Sequence, residues 1–345
     1  MKRPGLLGTL IQSLLLGGLI IYVFGSIFYA NIFIVEDKAL LSSAPSLQDV
    51  QPWLETPSLI KVKVPKDTQV YEIIRENKLY EEGWDTLGQP NFWRKAMYVS
   101  PDTSIINIAK SREIIGEIAS RDWWNMRRRT KEAFKDSIRE ELDLGKKDEI
   151  YVTSGQNHFY RFKEVIPDIS KALPVFREAG VDPWYAQAIL LIESPGRSRT
   201  SIAGAQGAFQ LMKGVARELG LKVNKQVDER EDFEKAAGAA AKFLQKTCIP
   251  NTRRILKEEK ITYDENDIWF KLLALHVYHA GWRNVRGAIR KMKSPEPGRQ
   301  LILDLWQTEY RNFSNSSQNY SQLILASMLE LDEVLFTQCH IITDS

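Results

Sequence analysis

Apolar residues divide the chain into three regions of different character. Residues 6–35 contain no Asp, Glu, Lys or Arg. Residues 59–155 mix short alternating runs with polar helical patterns, and from Phe159 onward apolar residues recur at helical spacing. The pattern predicts a mainly α protein: a helical domain over residues 156–335, preceded by a small α+β module over residues 59–155, and followed by a tail over residues 336–345.

The first apolar region is long enough to cross a bilayer, which takes about 20 residues. Lys2 and Arg3 precede it, and Glu36 and Asp37 follow it. The positive-inside rule therefore places residues 1–5 in the cytoplasm and the rest of the chain outside. The alternative is a cleaved signal peptide, but no small-residue cleavage site closes the run, which is long for such a segment. We expect a transmembrane anchor over residues 6–35 and a linker over residues 36–58.

The module begins with an alternating run, Leu59 to Val64, which is typical of a strand. A turn and a helical pattern at Val70, Ile73 and Ile74 follow it, and a similar order recurs around residues 99–108. The two copies are either a weak repeat or two ordinary helix starts. Another short strand is predicted at residues 149–152, and the sequence does not give the role of the module.

The helical domain contains one short apolar helix with a carboxylate at its end. Asp182-Pro183 starts it and Pro195-Gly196 stops it. Ala186, Ile189, Leu190 and Glu193 share one face. A carboxyl among apolar side chains has a raised pKa and can act as a general acid. The alternative is a carboxylate that reaches water at the helix end or pairs with an arginine.

Three motifs in order surround this glutamate. They are Glu193-Ser194, the run GAQGAFQLM over residues 204–212, and YHAG over residues 278–281. Together they resemble the soluble-lytic-transglycosylase domain, which has a goose-lysozyme-like fold. Gly220-Leu221 and the run DERED over residues 228–232 resemble the membrane-bound lytic transglycosylase D group.

The resemblance implies a chemistry with a single carboxylate. Glu193 would protonate the bond between N-acetylmuramic acid and N-acetylglucosamine in peptidoglycan. The N-acetyl group would assist, and Glu193 would then deprotonate the 6-hydroxyl to leave a 1,6-anhydro end. The enzyme would need no cofactor and would face the periplasm from the bacterial inner membrane. The alternatives are a hydrolytic lysozyme or chitinase of the same fold, and a non-catalytic wall-binding or scaffold protein.

The resemblance also implies a set of substrate-binding residues. Each has a structural alternative, such as a helix C-cap for Ser194 or a buried amide for Gln210. Phe209 would be an aromatic wall of the cleft, and the glycines would let the chain approach the sugar. The set comprises Ser194, Gly204, Ala205, Gly207, Phe209, Gln210, Tyr278, His279 and Tyr320.

The sequence departs from the family pattern at three places. His279 replaces an Asn, Pro195-Gly196-Arg197 replaces a small-aromatic-Asp run, and Ser316 replaces a Glu. These changes bear on pKa tuning and subsite preference more than on the class of reaction. Asp228, Glu229 and Asp232 are interpreted as a capped, solvated turn.

The net charge, the histidines and the cysteines bear on whether the protein binds nucleic acid or a metal ion and whether it forms a disulfide. The net charge of +3 is too small to indicate nucleic acid. His276 and His279 lie three residues apart, but no further ligand completes a metal set, and we predict no metal. Cys248 and Cys339 both lie on the exported side, which permits a disulfide between them, although two free thiols fit the sequence equally well. Glycan strands of peptidoglycan and the membrane are the expected partners.

Overall fold

The computed structural model of the protein describes residues 58–196, 201 and 204–342. The predicted anchor over residues 6–35 and almost all of the predicted linker lie outside these residues. Among the described residues, none of the helices combines the length and the apolarity needed to span a bilayer.

Over the described residues the chain is mainly helical, with two small sheets. The strands are β1 (Ser58–Lys63), β2 (Tyr71–Arg75), β3 (Thr103–Ile108), β4 (Ile114–Ala119), β5 (Ile150–Ser154) and β6 (His340–Ile342). The helices of the first half are α1 (Lys78–Glu81), α2 (Gly88–Tyr98), α3 (Ser120–Asn125), α4 (Arg128–Glu141), α5 (Phe162–Glu178) and α6 (Trp184–Glu193). Those of the second half are α7 (Lys213–Glu218), α8 (Phe233–Phe243), α9 (Ile249–Glu258), α10 (Ile268–Ala280), α11 (Trp282–Lys291), α12 (Arg299–Gln307) and α13 (Asn315–Gln338). A five-residue π-helical turn joins α8 to α9.

Both sheets are antiparallel, with the strand orders β2-β1-β6 and β4-β3-β5. The helix predicted around Val70, Ile73 and Ile74 is wrong, because Tyr71–Arg75 forms strand β2. Neighbouring residues of a strand point to opposite faces, yet Ile73 and Ile74 are both buried. The strand is therefore covered on both faces, and its apolar spacing imitates that of a helix. The helical pattern predicted at Ile105 and Ile108 is likewise a strand, β3.

The first sheet is completed by the end of the chain. Residues 340–342, predicted as part of a tail, pair with β1 in the register Lys61 with Ile342 and Lys63 with His340. Residues 58–99 contribute Val62, Ile73 and other buried side chains to the same apolar core as the helices. The second sheet forms a separate apolar cluster with α3 and α4. The first part of the predicted module thus folds as part of the helical domain.

Helix α6 lies at the centre of the domain. It packs against α5, α13 and β2, and its first nine residues are all buried. The one amide among them, Gln187, accepts a hydrogen bond from the backbone N–H of Ile74 at 2.9 Å and donates one to the carbonyl of Ile74 at 2.7 Å. The Gln187 side chain therefore hydrogen-bonds the backbone of β2 at the edge of its sheet and joins the helix to that strand.

The disulfide considered for Cys248 and Cys339 is not formed, because both cysteines are free thiols. Cys248 is fully buried at the end of the π-helical turn, which packs against α8, α9 and α10. Cys339 follows α13 and precedes β6, which packs against β1 and α13. The two thiols are thus held by different elements of the fold.

Candidate active site

Glu193 is the last residue of α6 and lies where that helix leaves the core. The sequence predicted one apolar face, but the residues from Trp184 to Ile192 are buried on every side, and Glu193 is half-buried. A helix that is apolar all round belongs in a protein interior. It therefore delivers a single carboxyl group from a rigid core to the surface.

The carboxyl group of Glu193 is held by Tyr320 of α13. The Tyr320 hydroxyl donates a hydrogen bond to Oε1 of Glu193 at 2.9 Å. Burial, followed by the charge of Glu193, raises the pKa of Tyr320 well above its usual value. The phenol therefore stays protonated and remains a donor at neutral pH. His279 covers the same tyrosine, with ring centroids 4.2 Å apart and planes inclined by 20°.

Tyr278 lies near Glu193 but donates its hydrogen bond elsewhere. Its hydroxyl donates to the carbonyl oxygen of Phe209 at 2.7 Å. Burial, and after it the charge of Glu193, raises the pKa of Tyr278 well above its usual value. Tyr278 therefore fixes the loop that follows α6, residues 204–212, while Tyr320 binds the carboxyl group of Glu193 itself.

Ser194 also fixes this loop, at Ala208, the residue before the one that Tyr278 binds. Its hydroxyl donates to the carbonyl oxygen of Ala208 at 2.8 Å, and its N–H donates to Leu190 as the helix C-cap. Ser194 is 2% exposed. The structural alternative for this residue, a helix C-cap, thus describes its geometry, and the side chain joins α6 to the loop rather than facing a sugar.

Phe209, predicted as a wall of the cleft, is instead part of the core. It is fully buried between Phe176 and Phe233, with ring centroids 5.9 Å and 5.6 Å away. The loop turns this side chain inward, and the aromatic ring anchors the loop in the core. Its backbone carbonyl remains on the active-site side, where Tyr278 binds it.

Arg230 is a member of the site that the sequence did not reveal. Its guanidinium is buried, pairs with both carboxylate oxygens of Asp228 at 2.9 Å and 2.6 Å, and donates to the carbonyls of Gly204 and Leu211 at 2.9 Å each. The hydrogen bonds from Arg230 lower the pKa of Asp228. The run DERED, predicted as a solvated turn, thus clamps both ends of the loop. The one feature of the sequence that could have indicated this role is the position of Arg230 between acidic residues in the DERED run.

Two further acidic residues of this run have structural partners. Asp232 accepts a hydrogen bond from the N–H of Lys235 and is the N-cap of α8. Glu229 accepts from the N–H of Lys222 at 2.6 Å and from Nζ of Lys235 at 2.7 Å. Their positions are explained by the turn and by the helix start.

The loop residues differ in what they present to solvent. Gly204 is exposed, with φ +85°, and Gln210 is half-buried, with φ +48° and its amide donating to the carbonyl of Gly207 at 2.8 Å. Ala205 is buried, and its N–H donates to the hydroxyl of Ser201 at 2.9 Å. Of the loop residues predicted to bind substrate, Gly204 and Gln210 are therefore the ones that reach solvent.

The unusual run after Glu193-Ser194 has a local explanation. The carbonyl of Pro195 accepts a hydrogen bond from the N–H of Arg161, just before α5. At Gly196, with φ +88°, a Cβ atom would lie 2.8 Å from Cβ of Glu164 and 3.0 Å from Cβ of Arg161. The chain that leaves α6 thus runs against the start of α5, where only glycine fits. Arg197 lies outside the described residues.

The histidines do not form a metal site with other residues. Among the described residues, no group of three or more His, Cys, Asp and Glu side chains has a metal-binding arrangement. His276 is fully buried and shares a hydrogen bond of 2.8 Å with the hydroxyl of Ser321. Burial lowers the pKa of His276 to about 3, so the ring is neutral at physiological pH. His279 is exposed on the side away from Tyr320.

Comparison with known families agrees with this geometry. Residues 176–299 match the family model of the Transglycosylase SLT domain. The protein is a peptidoglycan lytic transglycosylase. Members of the SLT domain family are glycan lyases that act on peptidoglycan, and the domain therefore implies peptidoglycan as the substrate. The matched segment contains Glu193, Arg230 and His279, whereas Tyr320 lies beyond it on α13. No curated protein matches the chain.

The loop offers a matched pair of glycine substitutions. At Gly207, with φ +81°, a Cβ atom would lie 1.8 Å from the carbonyl oxygen of Arg230, whereas at Gly204 it would meet nothing within 4 Å. We expect Gly204→Ala to cost about 1–2 kcal/mol, the strain of a left-handed residue with a Cβ atom. Gly207→Ala adds a backbone clash and should cost at least about 3 kcal/mol. Urea unfolding of both variants measures the difference, and equal losses would contradict the close approach of Arg230.

Proposed function

We propose that this lytic transglycosylase cleaves the β-1,4 bond between N-acetylmuramic acid and N-acetylglucosamine without water, and leaves a 1,6-anhydro end. The observation that carries the proposal is the 2.9 Å hydrogen bond from Tyr320 to Glu193 at the end of a fully buried helix. It orients one carboxyl group of the SLT domain, whose neighbouring loop exposes Gly204.

Glu193 acts first as the acid. Its proton passes to the glycosidic oxygen, the bond from that oxygen to the anomeric carbon breaks, and the N-acetylglucosamine part leaves as an alcohol. The carbonyl oxygen of the neighbouring N-acetyl group shares its electrons with the anomeric carbon. A positioned acid of this kind typically contributes about 10²–10⁴-fold to the rate.

Glu193 acts next as the base. The carboxylate takes the proton of the 6-hydroxyl, the 6-oxygen bonds to the anomeric carbon, and the N-acetyl oxygen is released from it. The acid is regenerated, and no water is consumed. One group thus performs both proton transfers.

The state of the neighbouring acidic run supports a non-hydrolytic route. Glycosidases that use water or a covalent intermediate need a second carboxylate across the bond. Asp228, the first candidate for that role, is paired with Arg230 through both oxygens, and Asp232 caps α8. Each would have to give up a structural bond in order to activate water.

We further propose that the protein is a member of the membrane-bound lytic transglycosylase D group. Gly220 and Leu221 end α7 with hydrogen bonds to Arg217 and Ala216, and the DERED run clamps the catalytic loop. Both motifs that resemble the group therefore have a definite structural purpose close to the site, which supports the assignment.

Glu193→Gln tests the catalytic assignment. The amide keeps the shape of the side chain but carries no transferable proton, so digestion of purified peptidoglycan should fall by about 10⁴-fold or more. Mass spectrometry of the products of the unaltered enzyme should show muropeptides one water lighter than those of a lysozyme. Unchanged activity would refute the role of Glu193, and reducing ends would indicate hydrolysis with Asp228 or Asp232 as the next residue to test.

Tyr320→Phe tests the carboxyl-orienting bond. The variant loses a hydrogen bond to the carboxylate that forms when Glu193 gives up its proton. Such a bond is worth about 1.5–3 kcal/mol, so the rate of wall digestion should fall by about 10-fold to 100-fold. Tyr80→Phe is the matched control, because the Tyr80 hydroxyl also donates to a buried carboxylate, that of Asp332, at 3.0 Å. Tyr80→Phe should lower the unfolding temperature and leave the rate unchanged. A Tyr320→Phe enzyme of normal rate would show that Glu193 is oriented by other contacts.

We also propose that residues 6–35 anchor the enzyme in the bacterial inner membrane, with the catalytic domain in the periplasm. The support is the uncharged run itself and the positive residues before it. Alkaline phosphatase, which is active only outside the cytoplasm, should be active when fused after Ser345. Removal of residues 1–35 should release the protein from membranes. An inactive phosphatase fusion would overturn this topology.

A further inference from the structure

A cavity lies between β5 and the first turns of α13, and Glu193 is not among the residues that line it. Its volume is about 380 Å³, within the roughly 300–1,000 Å³ typical of small-ligand sites. Trp93, Trp123 and Tyr151 line it with aromatic surface, and Arg112 and Lys135 are its cations. Among the described residues that line it, there is no Asp or Glu.

Arg112 is the feature that points to a ligand. It is 4% exposed, and it donates hydrogen bonds to the side-chain carbonyl oxygens of Asn107 at 3.0 Å, Asn319 at 2.6 Å and Asn315 at 3.4 Å. All three acceptors are neutral amides, and no carboxylate of the described residues forms an ion pair with Arg112. Its Nε is buried without a hydrogen-bond partner in the described part of the chain. A buried charge without a counter-charge is costly, and an anion in the cavity would offset that cost.

The surroundings of Arg112 hold its guanidinium in place. The rings of Phe92, Trp93 and Tyr151 lie 5.2–5.3 Å from its central carbon. Burial lowers its pKa to about 10, which still leaves it charged at neutral pH. Lys135 also lines the cavity, and its only ion pair within the described part of the chain is a 3.8 Å contact with Glu132, a surface interaction that contributes little. The cavity is thus a positively charged, aromatic-walled site.

We propose that this cavity binds a carboxylate of the peptide stems of peptidoglycan. A guanidinium is matched to a carboxylate in geometry and charge, and the aromatic walls accommodate the apolar part of a short peptide. The amides of Asn315 and Asn319 lie beside Arg112 and provide partners for peptide groups. The choice of ligand rests on the proposed function, whereas the charge and shape of the cavity do not.

The position of the cavity links it to the catalytic centre. Asn319, which binds Arg112, directly precedes Tyr320, which binds Glu193. One helix therefore carries a contact to each site. A peptide stem held in the cavity would therefore bind next to the helix that also carries the hydroxyl bound to Glu193.

The test uses the full chain with Glu193→Gln in detergent, so that no substrate is consumed. Calorimetric titration compares a stem peptide isolated from cell wall, its carboxylates free, with the same peptide after amidation of every carboxylate. The peptide carries no sugar and therefore does not compete for the glycan cleft. We expect saturable binding of the free-acid peptide and binding at least about 10-fold weaker for the amidated peptide, since hydrogen bonds to charged groups are the stronger class.

Two lysines on α4 supply the matched variants. Lys135→Ala removes a cation that lines the cavity and should weaken binding several-fold. Lys131→Ala removes a cation one turn earlier, which lies 5.2 Å from the same Trp123 ring but does not line the cavity, and should leave binding unchanged. Arg112→Gln should abolish binding. If that variant does not fold, the comparison of the two lysines decides.

Equal binding of the two peptides, no binding of either, or equal losses in Lys131→Ala and Lys135→Ala would overturn the inference. Wall digestion by the unaltered protein is measured in parallel. Digestion without peptide binding would refute the cavity as a stem site and leave the proposed function intact. Binding without digestion would support the cavity and refute the proposed reaction.

Discussion

The fold depends on the complete burial of α6. Nine successive residues without a charged side chain cannot face water without a large loss of hydrophobic stabilisation, so other elements must enclose the helix on all sides. α5, α13 and β2 do so. Gln187 is the one amide in this interior, and its two hydrogen bonds to Ile74 both satisfy it and fix β2 against the helix. The position of Glu193 follows, because it is the first residue at which this helix can leave the core.

The conformation of the loop over residues 204–212 is fixed for a related reason. A loop that packs under the surface must find a partner for each backbone carbonyl. Ser194 binds the carbonyl of Ala208, Tyr278 binds that of Phe209, and Arg230 binds those at the two ends of the loop. The first two donors are neutral, and the charge of Arg230 is balanced by Asp228. The loop is therefore ordered without adding net charge beside the acid.

The sequence predicted the parts of this fold that local patterns determine. The start of α6 at Asp182-Pro183 and its end after Glu193 follow from helix caps and helical spacing. Strand β2 was misread because its two buried faces erase the alternation that identifies a strand. β6 is three residues long and owes its existence to β1 at the other end of the described chain, which no local pattern shows.

For the site, the sequence likewise predicted which residues belong to it but not how their side chains are oriented. Motifs located Glu193 and Tyr320, but they could not show that Phe209 points into the core, since backbone direction in a loop is set by tertiary packing. Arg230 was missed because an arginine within an acidic run is usually solvated, and only the fold reveals that the loop closes over it.

The orientation of Tyr320 finally depends on its neighbours along α13. Asn319 binds Arg112, Ser321 binds His276, and Gln322 accepts from the indole of Trp93 at 3.0 Å. Successive residues of a helix point about 100° apart, so these partners hold α13 from different sides. The helix can neither rotate nor slide without breaking several buried hydrogen bonds at once, each of which is costly to leave unmade. The hydrogen bonds of Asn319, Ser321 and Gln322 thus fix the position of the Tyr320 hydroxyl that binds Glu193. Because the same helix binds Arg112, the carboxyl group of Glu193 and the guanidinium of Arg112 are held at fixed positions relative to α13.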